Sequence, residues 1–246
     1  MGALLQRLVE CGCSWRLGSG QRARRLMRQS VGPHRPSRGM KINWRGDITS
    51  VQPRFRLLRS FDERHHTYLG YALRIRGSIN GNSTEAWFGV GKASHEKQRF
   101  EVGQTVRGQA DAVADPRVEP VDFYKVSRLT IESRRESAGT PPPWQGVAPP
   151  IEIYRNRGHR RLSTKTYSSA ACSSCIWGAR MPVEIIVDHW NPTQKRYRFE
   201  TFCYGPKSCP LYRPGPTRKV PGRRGMTYEE EDWVDDELTA HRGDDD

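Results

Sequence analysis

Apolar and polar residues alternate along most of residues 44–133, and this period of two predicts short β-strands. The segment YLGYALRIRG, residues 68–77, places four apolar residues on one face and two arginines on the other. It leads into NGNS, where Asn80 and Gly81 predict a tight hairpin turn. The sequences EAWFGVG at 85–91 and VDFYKVSRLTIES at 121–133 predict further strands, the latter with Phe123 and Leu129 on one face and Val126 on the other.

A polar stretch, KASHEKQRF at 92–100, predicts one short helix between the third and fourth strands. Five strands with a helix in this position follow the plan of an OB-fold barrel, so the predicted fold class is mainly β, with a small OB-like barrel at 44–136. The spacing of Phe100, Gly103, Val106 and Gly108 resembles the segment that enters the fourth strand of many OB-fold domains. An SH3-like or other small barrel remains the alternative.

The composition of the remaining segments predicts the domain boundaries. SAGTPPPWQGVAPP at 137–150 contains five prolines and two glycines, which favours an extended linker to a second module at 151–225. A hydrophobic content of 35% predicts two modest cores. Residues 1–39 carry eight arginines and one acid, and we expect a disordered extension or a mis-assigned start there. Residues 226–246 form an acidic tail, for which a short helix at 228–239 and simple disorder both remain open.

Charge is distributed unevenly along the chain. The 41 Lys and Arg exceed the 27 Asp and Glu, giving a formal net charge of +14, yet the last eighteen residues from Glu229 hold ten acids and only one base, Arg242. A basic body with an acidic tail suggests a polyanionic partner with which the tail competes. The alternative is that the arginines only solubilise the surface.

Four cysteines form two pairs in the second module. Cys172 and Cys175 are separated by two residues, Cys203 and Cys209 by five. Between the pairs, VEIIVDHW and KRYRFETF are strand-like and NPTQ is turn-like, so a β-hairpin is expected to bring the pairs together. Four thiolates satisfy structural Zn²⁺, and the arrangement resembles a zinc ribbon with a wider second loop.

Other interpretations of the cysteines are weaker. An iron–sulfur cluster also takes four thiolates, but its motifs place three cysteines within a few residues. A redox CSSC precedes a helix, whereas IWGARMP leads into a strand here. Without a secretory signal we expect a reducing cytoplasmic location, which disfavours disulfides.

Basic segments without acids flank the cysteine module and suit a phosphate backbone with stacked bases. The predicted nucleic-acid contacts are Arg155, Arg157, Arg160, Arg161, Lys165, Arg213, Arg218, Lys219, Arg223 and Arg224. A second candidate surface on the barrel comprises Phe55, Arg74, Arg76, Trp87, Phe88 and Tyr124.

The segments CIWGARMPVE and FETFCYGPKSCPLY resemble those of uncharacterised bacterial proteins that join an OB-like domain to a zinc ribbon. The resemblance implies this architecture and supplies no catalytic residues. No HExxH, GxSxG or paired-carboxylate motif occurs, which disfavours an enzyme and identifies no small-molecule substrate, and no apolar run is long enough to span a membrane.

The sequence therefore predicts a zinc-stabilised protein that binds RNA or single-stranded nucleic acid. Two alternatives remain: a scaffold that binds protein partners through the ribbon and acidic tail, and an iron–sulfur electron-transfer protein.

Overall fold

The computed structural model describes residues 41–60, 64–134 and 140–243, so the predicted extension at 1–39 lies outside the described residues. The strands are β1 (Ile42–Arg59), β2 (Arg64–Ile79), β3 (Asn82–Val90), β4 (Thr105–Ala112), β5 (Phe123–Ser133), β6 (Arg160–Arg161), β7 (Gly178–Ile186), β8 (Lys195–Cys203), β9 (Arg218–Pro221) and β10 (Thr227–Glu230). The helices are α1 (Lys92–Gln98), α2 (Ile151–Arg157), α3 (Thr164–Tyr167), α4 (Ala170–Ser174) and α5 (Asp232–Thr239), with a 3-10 turn at Arg223–Gly225. Within the described ranges, none of these helices is long and apolar enough to cross a membrane.

The first five strands form a partly closed ring in a mainly β structure, as predicted. Their order around the ring is β1, β2, β3, β5, β4 and back to β1. All neighbours are antiparallel except β3 and β5, which are parallel and joined at one residue pair, Phe88 with Phe123. Helix α1 occupies the predicted place between β3 and β4.

The β2–β3 hairpin follows from its sequence. Asn80 and Gly81 have φ of 48° and 87°, the left-handed conformation that a two-residue hairpin turn requires. Strands β1 and β2 also approach closely at Gly46 and Gly77, where a Cβ on Gly46 would lie 2.4 Å from the Arg76 carbonyl oxygen. Only glycine fits such an approach, so the two glycines allow the long strands to stay paired at this point.

Strand β5 departs from the predicted alternation. Lys125 and Arg128 adopt positive φ, and the pairing of β5 with β4 shifts register along this stretch. Each irregularity changes the face that the following side chains occupy. As a result Val126 and Leu129 both pack against the core, although an uninterrupted strand would place them on opposite faces.

The second module continues the sheet of the first. The last residues of β1, Leu57–Arg59, pair in parallel with Val183–Ile185 of β7, and β8 and β6 follow in an eight-stranded sheet. Strand β1 can serve both parts because it is 18 residues long.

The structure has one continuous core where the sequence predicts two. The Phe55 ring of β1 contacts Tyr154 of α2 and Tyr204 after β8, at centroid distances of 6.1 and 5.5 Å. Residues 140–150 of the predicted linker also pack here, since the Tyr71 hydroxyl donates to the Pro149 carbonyl and the Ile176 amide to that of Trp144. Aromatic rings from the two parts pack against one another and form one shared core. The hydrophobic content of the sequence does not indicate that the core is shared. The boundaries at 136 and 151 stay a prediction, because a shared core does not decide whether each part folds alone.

Candidate functional site

All four predicted metal ligands line one small cavity of about 20 Å³. Cys172 lies in α4, Cys175 directly follows it, Cys203 ends β8 and Cys209 lies in the next loop. None of these cysteines forms a disulfide, and the described residues contain no group of three or more His, Cys, Asp or Glu side chains already at metal-binding geometry. The four thiols thus line the same cavity, but their positions do not match the coordination geometry of a metal ion.

The cavity favours neutral thiols as long as nothing positive enters it. Burial is the main cause of the raised pKa of Cys175, about 12, and it also raises the pKa of Cys172 and Cys203. Trp144 and Trp177 line the same cavity. Four soft sulfur donors in an apolar setting fit Zn²⁺, which binds thiolates and deprotonates coordinating thiols.

Strand β1 positions the first cysteine pair. The buried Gln52 side-chain amide donates to the carbonyl oxygens of Cys172, Ser173 and Cys175 at 3.1–3.3 Å. Its own oxygen accepts a hydrogen bond of 2.7 Å from the Tyr167 hydroxyl. Gln52 therefore satisfies carbonyl groups at the end of α4 and holds the turn against strand β1.

The β7–β8 hairpin brings the second pair to the first, as predicted. Gly178 pairs with Cys203 in the sheet, and its amide donates to the Cys175 carbonyl at 3.1 Å. The loop after β8 is held by Arg160, whose guanidinium lies 3.9 Å from the Tyr212 ring centre and donates to the Pro206 carbonyl at 2.8 Å.

Two of the predicted nucleic-acid contacts are buried. Arg161 is 1% exposed and donates to the Asp235 carboxylate at 3.1 Å and to Asp232. Arg218 is 9% exposed, 3.0 Å from a Glu200 oxygen and stacked on the Phe202 ring. Carboxylates neutralise their charges inside the protein, so these two arginines are not part of the surface. The predicted nucleic-acid contacts therefore do not form one continuous surface.

The other predicted contacts lie nearer the surface. Arg157, partly exposed, donates to the Tyr204 carbonyl at 2.8 Å and covers the Trp177 ring. Arg223 is 42% exposed and covers Trp190, which is itself 80% exposed. Arg160 is partly exposed, and the other five are exposed: Arg155, Lys165, Arg213, Lys219 and Arg224.

The acidic tail is docked on the body. Residues 227–230 form β10 against β9, and Asp232–Thr239 form α5, so the predicted helix is present in part of its range. Glu230 is 2% exposed and 2.7 Å from Arg59, which also pairs with Glu200. Beyond the helix, Arg242 donates to the Gly205 carbonyl in the cysteine loop. The tail thereby supplies internal counter-charges for the sheet.

Two buried histidines stand beside this ionic cluster. The rings of His66 and His159 lie 4.9 Å apart, and His159 packs edge-on against Phe202. Burial, with Arg64 and Arg59 nearby, lowers the pKa of His66 to about 4. Burial also holds the pKa of His159 well below its usual value. Both imidazoles are therefore neutral near pH 7.

A groove of about 440 Å³ separates the outer face of β1–β3 from the β7–β8 hairpin. Arg74 of β2 lies 5.6 Å from the centre of the Trp87 ring on β3, and Arg180 of β7 lies 3.7 Å from that of Phe199 on β8. Arg180 is exposed and forms no ion pair with another described residue, whereas Arg74 lies 3.8 Å from Glu85. The groove is thus lined by two arginine–aromatic pairs.

Only half of the residues that form the two arginine–aromatic pairs of this groove were predicted from the sequence. Arg74 and Trp87 belong to the predicted barrel surface, but Phe55 and Phe88 of that set are fully buried. Arg180 and Phe199 were missed, since they face the groove only because β7 joins the sheet beside β1. The available signal was the alternation in KRYRFETF, which indicates two aromatic residues on one face of a strand.

A second cavity of about 570 Å³ is lined by three arginines of the barrel, Arg45, Arg107 and Arg128. Arg45 and Arg107 both pair with Glu132, at 2.7 and 3.3 Å. The one aromatic residue that lines this cavity, Trp44, is 3% exposed, so the cavity lacks the arginine–aromatic pairs that line the groove.

No family model, no curated protein and no solved structure matches the chain.

Proposed function

We propose that the protein binds single-stranded nucleic acid, RNA or DNA, without catalysing a reaction, and that zinc stabilises it. The observation that carries the proposal is the groove in which Arg74 lies over Trp87 and Arg180 over Phe199. Guanidinium groups attract phosphates and stack on bases, and aromatic rings offer sequence-tolerant stacking surfaces.

The ring of strands supports the proposal. A five-stranded ring with a helix between its third and fourth strands follows the OB-fold plan, and we propose that the first part is such a barrel. OB-folds bind oligonucleotides on the face of their second and third strands. Arg74 and Trp87 project from β2 and β3 into the groove, in agreement with that use.

The metal has a structural part in this proposal. Cys172, Cys175, Cys203 and Cys209 would hold Zn²⁺ in a ribbon-like module, with the ion supplying only a cross-link. The β7–β8 hairpin carries one wall of the groove and ends at Cys203, so the cross-link would stabilise that wall. Elemental analysis should find one zinc per chain, and the absorption spectrum should show no band in the visible range. Iron with visible absorbance would favour the electron-transfer alternative instead.

Binding can be tested with labelled mixed-sequence RNA and DNA oligonucleotides of about 12 nucleotides, by fluorescence anisotropy. We expect affinity to fall steeply between about 50 and 200 mM salt. Arg74→Glu and Arg180→Glu should each weaken binding about tenfold or more, because each places a negative charge in the groove.

The matched control for these variants is Arg128→Glu, which reverses an exposed charge in the second cavity and should leave binding within about twofold. Salt-independent binding, or no binding to any oligonucleotide, would overturn the proposal. A larger loss from Arg128→Glu than from Arg180→Glu would contradict the assignment to the groove.

A protein-binding scaffold is the second candidate, supported by the 80% exposure of Trp190 at the tip of the β7–β8 hairpin. An exposed tryptophan is a frequent anchor of protein interfaces. A protein complex that survives nuclease treatment and is lost in Trp190→Ala would favour this candidate over nucleic-acid binding.

A further inference from the structure

The outer face of β8 continues the groove away from the barrel. Tyr197, Phe199 and Thr201 alternate with Arg198 and Glu200, and the pairing of β8 with β7 is regular from Gly178 to Ile186. Residues two apart on a regular strand share a face. Tyr197 therefore lies next to Phe199 on the face that forms the groove wall.

A guanidinium group covers each of these two rings. Arg180 lies 3.7 Å from the Phe199 ring centre, and Arg117 lies 4.6 Å from that of Tyr197. Arg117 belongs to the β4–β5 connection, which reaches the groove through Pro120. Asp115 fixes the Arg117 guanidinium through two side-chain hydrogen bonds of 2.9 and 2.8 Å.

These pairs offer planar surfaces to solvent. Arg180 is exposed and the Arg117 side chain is 63% exposed, so both guanidinium groups are accessible from solvent while each lies close to a ring. A nucleic-acid base stacks on a guanidinium plane as it does on an aromatic ring. Each pair is thus a layered platform for one base. Arg180 adds a positive charge that no described carboxylate pairs with, whereas the charge of Arg117 is paired with Asp115 and its contribution is the stacking plane.

The spacing of the platforms determines the shape of the strand that fits them. Positions two apart on a β-strand are about 6.6–6.8 Å apart. Bases stacked in a helix rise only about 3.4 Å per nucleotide along one strand. Two neighbouring nucleotides can occupy both platforms only when their bases are separated from each other.

We infer that Phe199 with Arg180 and Tyr197 with Arg117 bind consecutive bases of an extended, unstacked single strand, and that the protein therefore prefers pyrimidine-rich strands. This inference rests on the proposed function and specifies its ligand. Pyrimidine runs unstack more readily than adenine runs, so they adopt the extended form at a smaller free-energy cost. Trp87 with Arg74, on the opposite wall, provides a third platform for the same strand.

The test compares oligonucleotides of about 12 residues, dT, dA, rU, rA and a mixed duplex, at one salt concentration. The wild-type chain should bind dT and rU about tenfold more tightly than dA and rA, and the duplex most weakly. Comparison of dT with rU distinguishes DNA from RNA as the source of the strand.

Variants of Tyr197 separate stacking from charge. Tyr197→Ala should lose about tenfold in dT affinity, whereas Tyr197→Phe should retain it within about twofold. Arg180→Lys should keep the salt dependence but lose about fivefold in affinity, because lysine keeps the charge without the plane. Trp233→Ala, a change at an exposed ring on α5 that is 56% accessible, is the matched control and should have no effect.

The outcomes separate this inference from the function on which it rests. Binding that is equal for dT and dA, or that is unchanged in Tyr197→Ala, would overturn the inference and leave single-strand binding in place. Binding that favours the duplex would overturn the proposed function as well. Failure to bind any of the five oligonucleotides would overturn both.

Discussion

Arginines are concentrated both on the side of the sheet that faces the acidic tail and in the groove. On the first surface their partners are carboxylates, and in the groove their partners are aromatic rings. On the tail-facing side, Arg59 and Arg218 are at most 9% exposed and pair with the carboxylates of Glu200 and Glu230. In the groove, Arg180 is exposed and stacks on a ring. Arginine in the first environment holds the protein together, and in the second it remains available to an anion.

The difference originates in the acidic tail. It adds a strand and a helix, and Asp235 and Glu230 enter the body as counter-charges for Arg161 and Arg59. The sequence prediction of a tail that competes with a polyanion assigns these acids to solvent. In the structure Glu230 and Asp235 are buried in ion pairs, so the tail divides the basic surface that the sequence predicts, whereas Arg180 in the groove has no carboxylate partner among the described residues.

The largest effect should come from breaking the buried ionic cluster. Glu200 is 4% exposed and faces both Arg59 and Arg218, so Glu200→Gln leaves two buried guanidinium groups without their shared carboxylate. The expected loss in free energy of unfolding is about 3–5 kcal/mol, measured by urea denaturation. A loss below about 1 kcal/mol would mean that the cluster is open to water.

An intermediate effect should follow acidification. The folded-state pKa of His66 is lowered to about 4 and that of His159 is also low, while the unfolded values are near 6.5. The unfolded chain therefore binds protons first, and stability should fall as the pH drops from about 6.5 towards about 4. The measurement is the urea midpoint at several pH values.

The variant that sharpens this pH prediction is His159→Phe, which removes one buried titrating group. It should flatten the decline in stability between about pH 6.5 and 4. An unchanged pH dependence would assign the acid sensitivity to other groups.

The smallest effect should come from the groove itself. Arg180→Ala removes an exposed side chain that forms no ion pair with the described residues, so the free energy of unfolding should change by no more than about 0.5 kcal/mol. Thermal unfolding monitored by circular dichroism is a sufficient measurement. A loss comparable to that of Glu200→Gln would abolish the distinction between the two regions.

Local features of the fold could be predicted from the sequence. Asn80-Gly81 specifies its hairpin through backbone conformations that few other residues adopt, and the confirmed β7–β8 hairpin follows from two strand-like segments and a turn between them. The convergence of four cysteines on one cavity follows from that same hairpin.

Long-range partners could not be predicted in this way. Arg161 and Asp235 are 74 residues apart, and nothing in either neighbourhood specifies the other. The parallel pairing of β1 with β7 likewise depends on the length of β1 and on where the barrel leaves its edge free. The groove exists because β7 lies beside β1 in the sheet. Arg180 and Phe199 could therefore be identified as part of a site only from the structure.

The Gln52 amide has a consequence for the order in which the chain folds. It joins carbonyl groups of the Cys172 turn across 120 residues of intervening sequence, so its contacts close a very long loop. Long loops are entropically unfavourable to close, and contacts of high sequence separation form slowly. During synthesis, the five strands of the ring, residues 42–133, are made before the residues that Gln52 secures. The cysteine turn is therefore among the last parts to be fixed, and a truncated chain ending before it would leave the Gln52 amide without these three acceptors and open to water.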